Sequence, residues 1–188
     1  IIAFQGRVTR QKGIKRLIQA IIELEETGIQ ADFLIMGQGE GKLEELIINI
    51  VKTIKNAGIC FFCGYDNDVR KMLYAGSDFL VIPSEFEPCG LTDFTAQLYG
   101  TVPIVHSVGG LKKVLPGKTG YSFSGSPGDS LSHAIQKAVS DYFYNPQKLY
   151  RIRKNAINYI YERYTWRKIV KEEYLPLYRS LLKDSKRK

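Results

Sequence analysis

The feature that most constrains this chain is an alternation of two kinds of segment. Short, mostly apolar runs without regular polar alternation recur at Ile1–Gly6, Ala31–Met36, Ile59–Cys63, Phe79–Ile82, Pro103–Val105 and Tyr121–Phe123. Between them lie stretches with helical spacing. Ile14, Leu17, Ile18, Ile21, Ile22 and Leu24 mark one, and Leu43, Leu46, Ile47, Ile50, Val51 and Ile54 mark another. Strands that are apolar on both sides belong to a parallel sheet with both faces covered, and the intervening helices are the crossovers. The expected fold class is therefore α/β, a Rossmann-like doubly wound parallel sheet. Helices are predicted at Ile14–Glu26, from Asp68 to Ala75 behind an Asp66 or Asn67 cap, over Leu91–Tyr99, from Asp129 to Tyr144, over Gln147–Tyr164 and over Thr165–Leu182. Pro176 should kink or interrupt the last.

The 188 residues fit one domain of ordinary size. Neither a membrane-spanning apolar run nor a signal-peptide pattern is present. The chain begins at Ile1, in a strand and without an initiator Met, so a piece of a longer protein cut at a domain boundary is expected. Its net charge of +8 is uneven: residues 1–145 sum to −1 and residues 146–188 to +9. The excess lies on the C-terminal helices. A polyanion-binding surface and a solvated helical face both explain it, the second being the ordinary outcome for a charge run. Cys60 and Cys63 form a C-x-x-C within an apolar run. Three residues apart on a strand, they face opposite ways and no second pair completes a zinc site, so two buried thiols are expected. Gly37-x-Gly-x-Gly41 has the wrong spacing and follows the second strand, which argues against a nicotinamide site.

The candidate site lies between Phe79 and Gly100. A buried strand ends in a loop carrying Glu85 and Glu87, and Gly90 opens a helix at Leu91. Ligand sites of open α/β sheets form at the carboxyl ends of strands. The free amides of Gly90, Leu91 and Thr92 suit a phosphate. The Gly109-Gly110-Leu111 turn is a second candidate amide nest. Arg7 and Lys12 follow the first strand, so both reach the same edge of the sheet, where cations meet the charge of a leaving diphosphate. A glutamate beside a sugar holds a hydroxyl or stabilises an oxocarbenium-like transition state. Tyr65, at the end of the third strand, offers a ring for stacking on a base. For each there is a plainer alternative: surface cations, a solvated loop acid, a helix cap, a half-buried tyrosine. His106 and His133 have no metal partner at ligand spacing.

Ser84-Glu-Phe-Glu-Pro-Cys-Gly-Leu-Thr92 resembles a motif of bacterial glycogen synthases and plant starch synthases. Tyr99-Gly-Thr-Val-Pro-Ile-Val105, the Gly109-Gly110-Leu111 turn, Gly6-Arg7, Gln11-Lys12-Gly13, Gly64-Tyr65 and Tyr74-Ala-Gly-Ser-Asp78 are similar to that family at matching spacing, and the likeness runs through Tyr164-Thr-Trp166. The resemblance implies the C-terminal half of a GT-B glycosyltransferase: a nucleotide-sugar-binding domain over residues 1–164, then a crossover helix and basic tail over 165–188. The acceptor-binding N-terminal domain is absent from this chain. The implied reaction moves glucose from ADP-glucose to the non-reducing end of an α-1,4-glucan with retention, without a metal or other cofactor; a GT-B transferase with a UDP-sugar donor or another acceptor, and a non-catalytic nucleotide- or glucan-binding module, are the alternatives. In it Glu87 contacts the donor glucose, Arg7 and Lys12 take up diphosphate charge, Tyr65 stacks on adenine, and the Cys89–Thr92 amides with the Gly109-Gly110 turn hold the phosphates. Neither nucleic acid nor membrane is an implied partner. The implied compartment is the cytoplasm for a bacterial enzyme or the plastid for a plant one, and the fragment alone is expected not to turn over. Three positions depart from the pattern: Glu85 stands where the family often has Arg, Thr95 where the wider GT-B pattern has Glu, and Gly6 where a Ser is common.

Overall fold

A computed structural model describes residues 1–126 and 128–185. Six strands form one wholly parallel sheet: β1 (Ile2–Gln5), β2 (Phe33–Gly37), β3 (Ile59–Cys63), β4 (Phe79–Ile82), β5 (Val102–His106) and β6 (Tyr121–Phe123). Their spatial order is β3-β2-β1-β4-β5-β6. The chain winds outward in one direction from β1 and then in the other from β4. This order reverses between β1 and β4, and in open α/β sheets the carboxyl ends of the strands at such a reversal are where ligands bind.

The helices are α1 (Ile14–Thr27), α2 (Gly41–Thr53), α3 (Asn67–Gly76), α4 (Leu91–Leu98), α5 (Leu131–Tyr144), α6 (Pro146–Arg163), α7 (Trp166–Ile169) and α8 (Leu175–Ser185), with 3-10 turns at Arg10–Lys12 and Gly109–Lys113. Two apolar clusters separate the layers. Leu17, Ile21, Leu43, Ile47, Ile135 and Ile152 join Ile2, Phe33, Phe79 and Ile104 on one face, from α1, α2, α5 and α6. On the other, Leu73, Tyr74 and Ala96 of α3 and α4 meet Ala3, Met36, Leu80 and Val105.

The helical spacing of α1 matches its buried residues Ile14, Leu17, Ile18, Ala20, Ile21 and Leu24. Asp66 caps α3 as expected, accepting from the amides of Asp68 and Val69 at 2.8 and 2.9 Å. α5 starts two residues later than the spacing predicts, because the Ser130 side chain takes the cap position and accepts from the His133 amide. Pro176 has its effect upstream. The helix runs without a break through a π-helical turn at Val170–Tyr174 into α8, and Pro176 follows that turn directly, so the departure from α geometry falls in the turn just before the proline. The exposed side chains of Trp166 in α7 and of Leu177, Tyr178 and Leu181 in α8 flank this turn. Of the expected basic tail, residues 186–188 lie outside the described residues.

Two expectations fail together at β3. The sheet is not covered on both faces there, and Cys60 and Cys63 are exposed, as is Cys89. The strand is the sheet's edge. Ile59 and Phe61 pack against the α1–α2 side, whereas Phe62 on the opposite side is 40% exposed. An apolar run reads alike in a central strand and in an edge strand covered on one face, so composition did not distinguish them.

Candidate functional site

The loops that follow β1 and β4 meet beyond the carboxyl ends of these strands. Gly13 closes the 3-10 turn with φ 74° and opens α1. A Cβ at this position would lie 2.0 Å from the Pro83 carbonyl oxygen, so the first loop can reach the second only through a glycine. The contact is reinforced on both sides. The Glu85 amide donates to Gln11 O at 2.8 Å, the Gln11 side-chain amide donates to Phe86 O at 3.2 Å, and Arg16 of α1 donates to Pro83 O at 2.8 Å.

This packing brings Lys12 and Glu87 together. Lys12 Nζ lies 2.5 Å from Glu87 Oε2, both side chains being largely shielded from solvent, and the Ser84 hydroxyl donates to the same oxygen at 3.3 Å. Glu85 turns the other way, toward Arg10 at 3.6 Å on the surface. Two glutamates two residues apart thus have different surroundings, and only Glu87 faces Lys12. Arg7 is exposed and donates to Gln11 Oε1 at 3.2 Å.

Next along the chain, Gly90 takes φ 67° and begins α4 without a side-chain cap. Among the described residues no acceptor closes on the amides of Gly90, Leu91 or Thr92. Leu91 is 70% exposed, so this helix end opens to solvent. The Gly109-Gly110 turn packs directly on the loop: Cβ atoms there would meet Glu87 O at 2.1 Å and Cys89 O at 2.3 Å. Its expected role as a second nest is narrower than the sequence implies, because the Gly110 amide already donates to Glu87 O at 2.8 Å. Tyr65 lies beyond the edge strand β3. Its hydroxyl donates to Asn67 and the Arg70 guanidinium sits 5.5 Å from its ring centroid.

Two residues that sequence reading passed over, Lys113 and Asp93, and one that it weighed only as a metal ligand, His106, complete the region. Lys113 Nζ donates to Cys89 O, Gly90 O and Gly110 O at 2.6, 2.5 and 3.0 Å. It also lies 3.1 Å from Asp93, which is fully buried in the first turn of α4. Burial pushes the Asp93 carboxyl up to about 6, and the Lys113 charge pulls it only part of the way back. His106, at the end of β5, is buried with Nδ1 2.7 Å from Ser84 O and Nε2 3.2 Å from Ser124 O, so it braces the loop from behind. No local pattern marks these residues. A lysine at the end of a glycine turn and an aspartate in a first helical turn both read as surface features. Gly39 explains the rejected dinucleotide motif: Val8 bridges to it, and a Cβ there would lie 2.4 Å from Val8 O.

A family model described as "Glycosyl transferases group 1" matches residues 1–160. The chain belongs to the group 1 glycosyl transferases. Within that family it is 35% identical over its whole length to a glycogen synthase of Thermodesulfovibrio yellowstonii, and 33% identical over 95% of its length to one of Francisella tularensis subsp. novicida. It spans 36% and 37% of those two proteins. The catalytic domain of starch synthase IV from Arabidopsis thaliana, solved with ADP and acarbose, superposes with a TM-score of 0.71 at 27% identity. That match covers 83% of this chain and 34% of the other. The C-terminal domain of LpcC, a group 1 glycosyl transferase of Francisella tularensis, shares the fold with a TM-score of 0.68 at 20% identity, over 88% of this chain and 86% of that one. The glycosyl transferase fold seen here is thus the Rossmann-like unit of the GT-B architecture. Among the described residues no helix is long and apolar enough to cross a membrane.

Proposed function

We propose that this chain is the donor-binding half of a retaining glucosyltransferase that moves glucose from ADP-glucose to the non-reducing end of an α-1,4-glucan. The observation that carries the reading is the Lys12–Glu87 contact beyond the carboxyl ends of β1 and β4. It puts a cation and a carboxylate from two different loops where an open α/β sheet binds ligands. The names of the relatives support the glucan, and the starch synthase solved with ADP supports the nucleotide.

In this reading Arg7 and Lys12 take up the negative charge that develops on the departing diphosphate, and no metal is required for that. Glu87 stands beside the donor glucose and stabilises positive charge at the anomeric carbon. The amides of Gly90, Leu91 and Thr92, at the positive end of α4, hold the distal phosphate. Tyr65 stacks on adenine with one face while Arg70 backs the other. The acceptor surface belongs to the rest of a protein about three times as long. The exposed apolar side chains after Thr165 are where that part packs. Turnover needs both walls of the cleft, so the isolated chain binds donor without transferring glucose.

Calorimetric titration of the chain with ADP, UDP and short maltodextrins tests this. ADP binds, and Lys12→Ala or Arg7→Ala each weakens it by roughly 10-fold or more, the scale of a charge-assisted hydrogen bond. Equal affinity for UDP would remove the adenine assignment. An ADP affinity indifferent to both substitutions would remove the site.

A further inference from the structure

Lys113 is not part of the donor contacts described above, yet it touches every segment that would shape the phosphate end of the site. Its ammonium draws in the carbonyl oxygens of Cys89, Gly90 and Gly110. It rests 4.3 Å from the centroid of the Phe94 ring and 3.1 Å from buried Asp93. Only 12% of the lysine side chain is exposed. A buried ammonium has three protons to place, and here three carbonyls receive them, while Asp93 balances the charge.

The consequence follows from the planarity of the peptide bond. In a trans peptide the C=O of one residue and the N–H of the next point in opposite directions. Fixing Cys89 O and Gly90 O on Lys113 therefore fixes the N–H groups of Gly90 and Leu91 away from it. Those are amides without an acceptor among the described residues. The Gly90 carbonyl, which would otherwise accept from Phe94 as the first bond of α4, is also held by the lysine. We propose that Lys113 is a positioning residue: by gathering the Cys89, Gly90 and Gly110 carbonyls it orients the Gly90 and Leu91 amides toward the terminal phosphate of a nucleoside diphosphate. This rests on the donor-site reading above and extends it to a residue that meets no ligand atom itself.

The test compares ADP with AMP as calorimetric probes of the wild-type chain and of three variants. AMP lacks the terminal phosphate, so the ratio of the two affinities reports the amides and a general loss of fold does not. Lys113→Met should lower ADP affinity about 10-fold, the scale of a charge-assisted hydrogen bond, and leave AMP affinity unchanged. Because that variant leaves Asp93 buried and unpaired, the double variant Lys113→Met/Asp93→Asn, which removes both charges, secures a folded protein and should show the same narrowed ADP-to-AMP ratio. Asp93→Asn alone, with the three carbonyl bonds intact, should keep the wild-type ratio within about 2-fold, below what the loss of one hydrogen bond produces. A wild-type ratio in the folded double variant would overturn the proposal while leaving the donor site standing. A wild-type chain that binds neither nucleotide would overturn the donor-site reading, and this proposal with it.

Discussion

Two buried aspartates, one beside the candidate site and one in the scaffold, have opposite surroundings. Asp141 of α5 is 5% exposed and fully engaged: Tyr121 donates to it at 2.9 Å, Lys148 at 2.5 Å and Asn145 at 3.2 Å. Burial works against its charge, but the Lys148 and Tyr121 hydrogen bonds, the Lys148 charge and Asn145 outweigh it, and the carboxyl sits below its ordinary value. Asp93 of α4 is sealed off completely, has one cation at 3.1 Å, and is held well above its ordinary value by burial. The scaffold resolves its charge and the site does not. Unresolved electrostatics cluster where a ligand is expected to finish the arrangement.

The largest effect should come from the scaffold side. Asp141→Ala removes the acceptor shared by β6, α5 and α6 and leaves the Lys148 ammonium half-buried without it. Breaking a buried pair from one side costs about 3–5 kcal/mol. With Lys148 about one-third exposed, the lower end applies, so the thermal midpoint falls by roughly 6–12 °C for a chain of this size. The pH dependence has a fixed sign. The folded-state pKa lies below the unfolded one, so Asp141's contribution is fully present above about 4 and is lost as pH falls further. Denaturant midpoints from pH 7 down to 3 should converge for wild type and Asp141→Ala. Curves that stay parallel would show that the carboxylate contributes no pH-linked stability.

Asp93 should behave in the opposite sense. Its folded-state value, about 6, lies above the unfolded 3.8, so the native state holds the extra proton between these values. Its contribution is present at low pH and is lost as pH rises through about 6. Asp93→Asn removes that window, so the variant gains on wild type by on the order of 2–3 kcal/mol between pH 4 and 7. Chemical denaturation across that range reads the difference directly. A gap that does not change with pH would mean that the Lys113 ammonium fully compensates the buried charge, and the contrast with Asp141 would vanish.

How much of this was legible in the sequence depends on the range of the interaction. The apolar runs and the spacing of α1 report local burial, and the six strands and most helix limits follow from them. Strand order was not written locally. Nothing in Ile59–Cys63 says that it ends at an edge, and so its thiols were expected inside. The placement of Arg7, Lys12, Glu87 and Gly90 was readable because each residue sits just after a strand or just before a helix, and topology sends all such positions to one rim. Asp93 and Lys113 were not. Their roles exist only because a glycine turn 20 residues downstream folds onto the Glu87–Gly90 loop, and a contact of that kind leaves no periodic trace.

The smallest effect sharpens the comparison from the solvent side. Glu85 and Glu87 share a loop and a residue type, and each faces a cation supplied by the first loop. The Arg10–Glu85 pair has side chains 79% and 47% exposed and a separation of 3.6 Å, whereas Lys12–Glu87 is closed and short. Water and salt screen the first, so Glu85→Ala should change stability by no more than about 0.5 kcal/mol. The Glu85 backbone amide still donates to Gln11, so the loop keeps its position. ADP affinity should likewise stay within about 2-fold, less than the loss of a single hydrogen bond would cause. A loss as large as that of Lys12→Ala would mean that both glutamates face the ligand. The site would then be organised by the loop as a whole, and the inward turn of Glu87 would carry no special meaning.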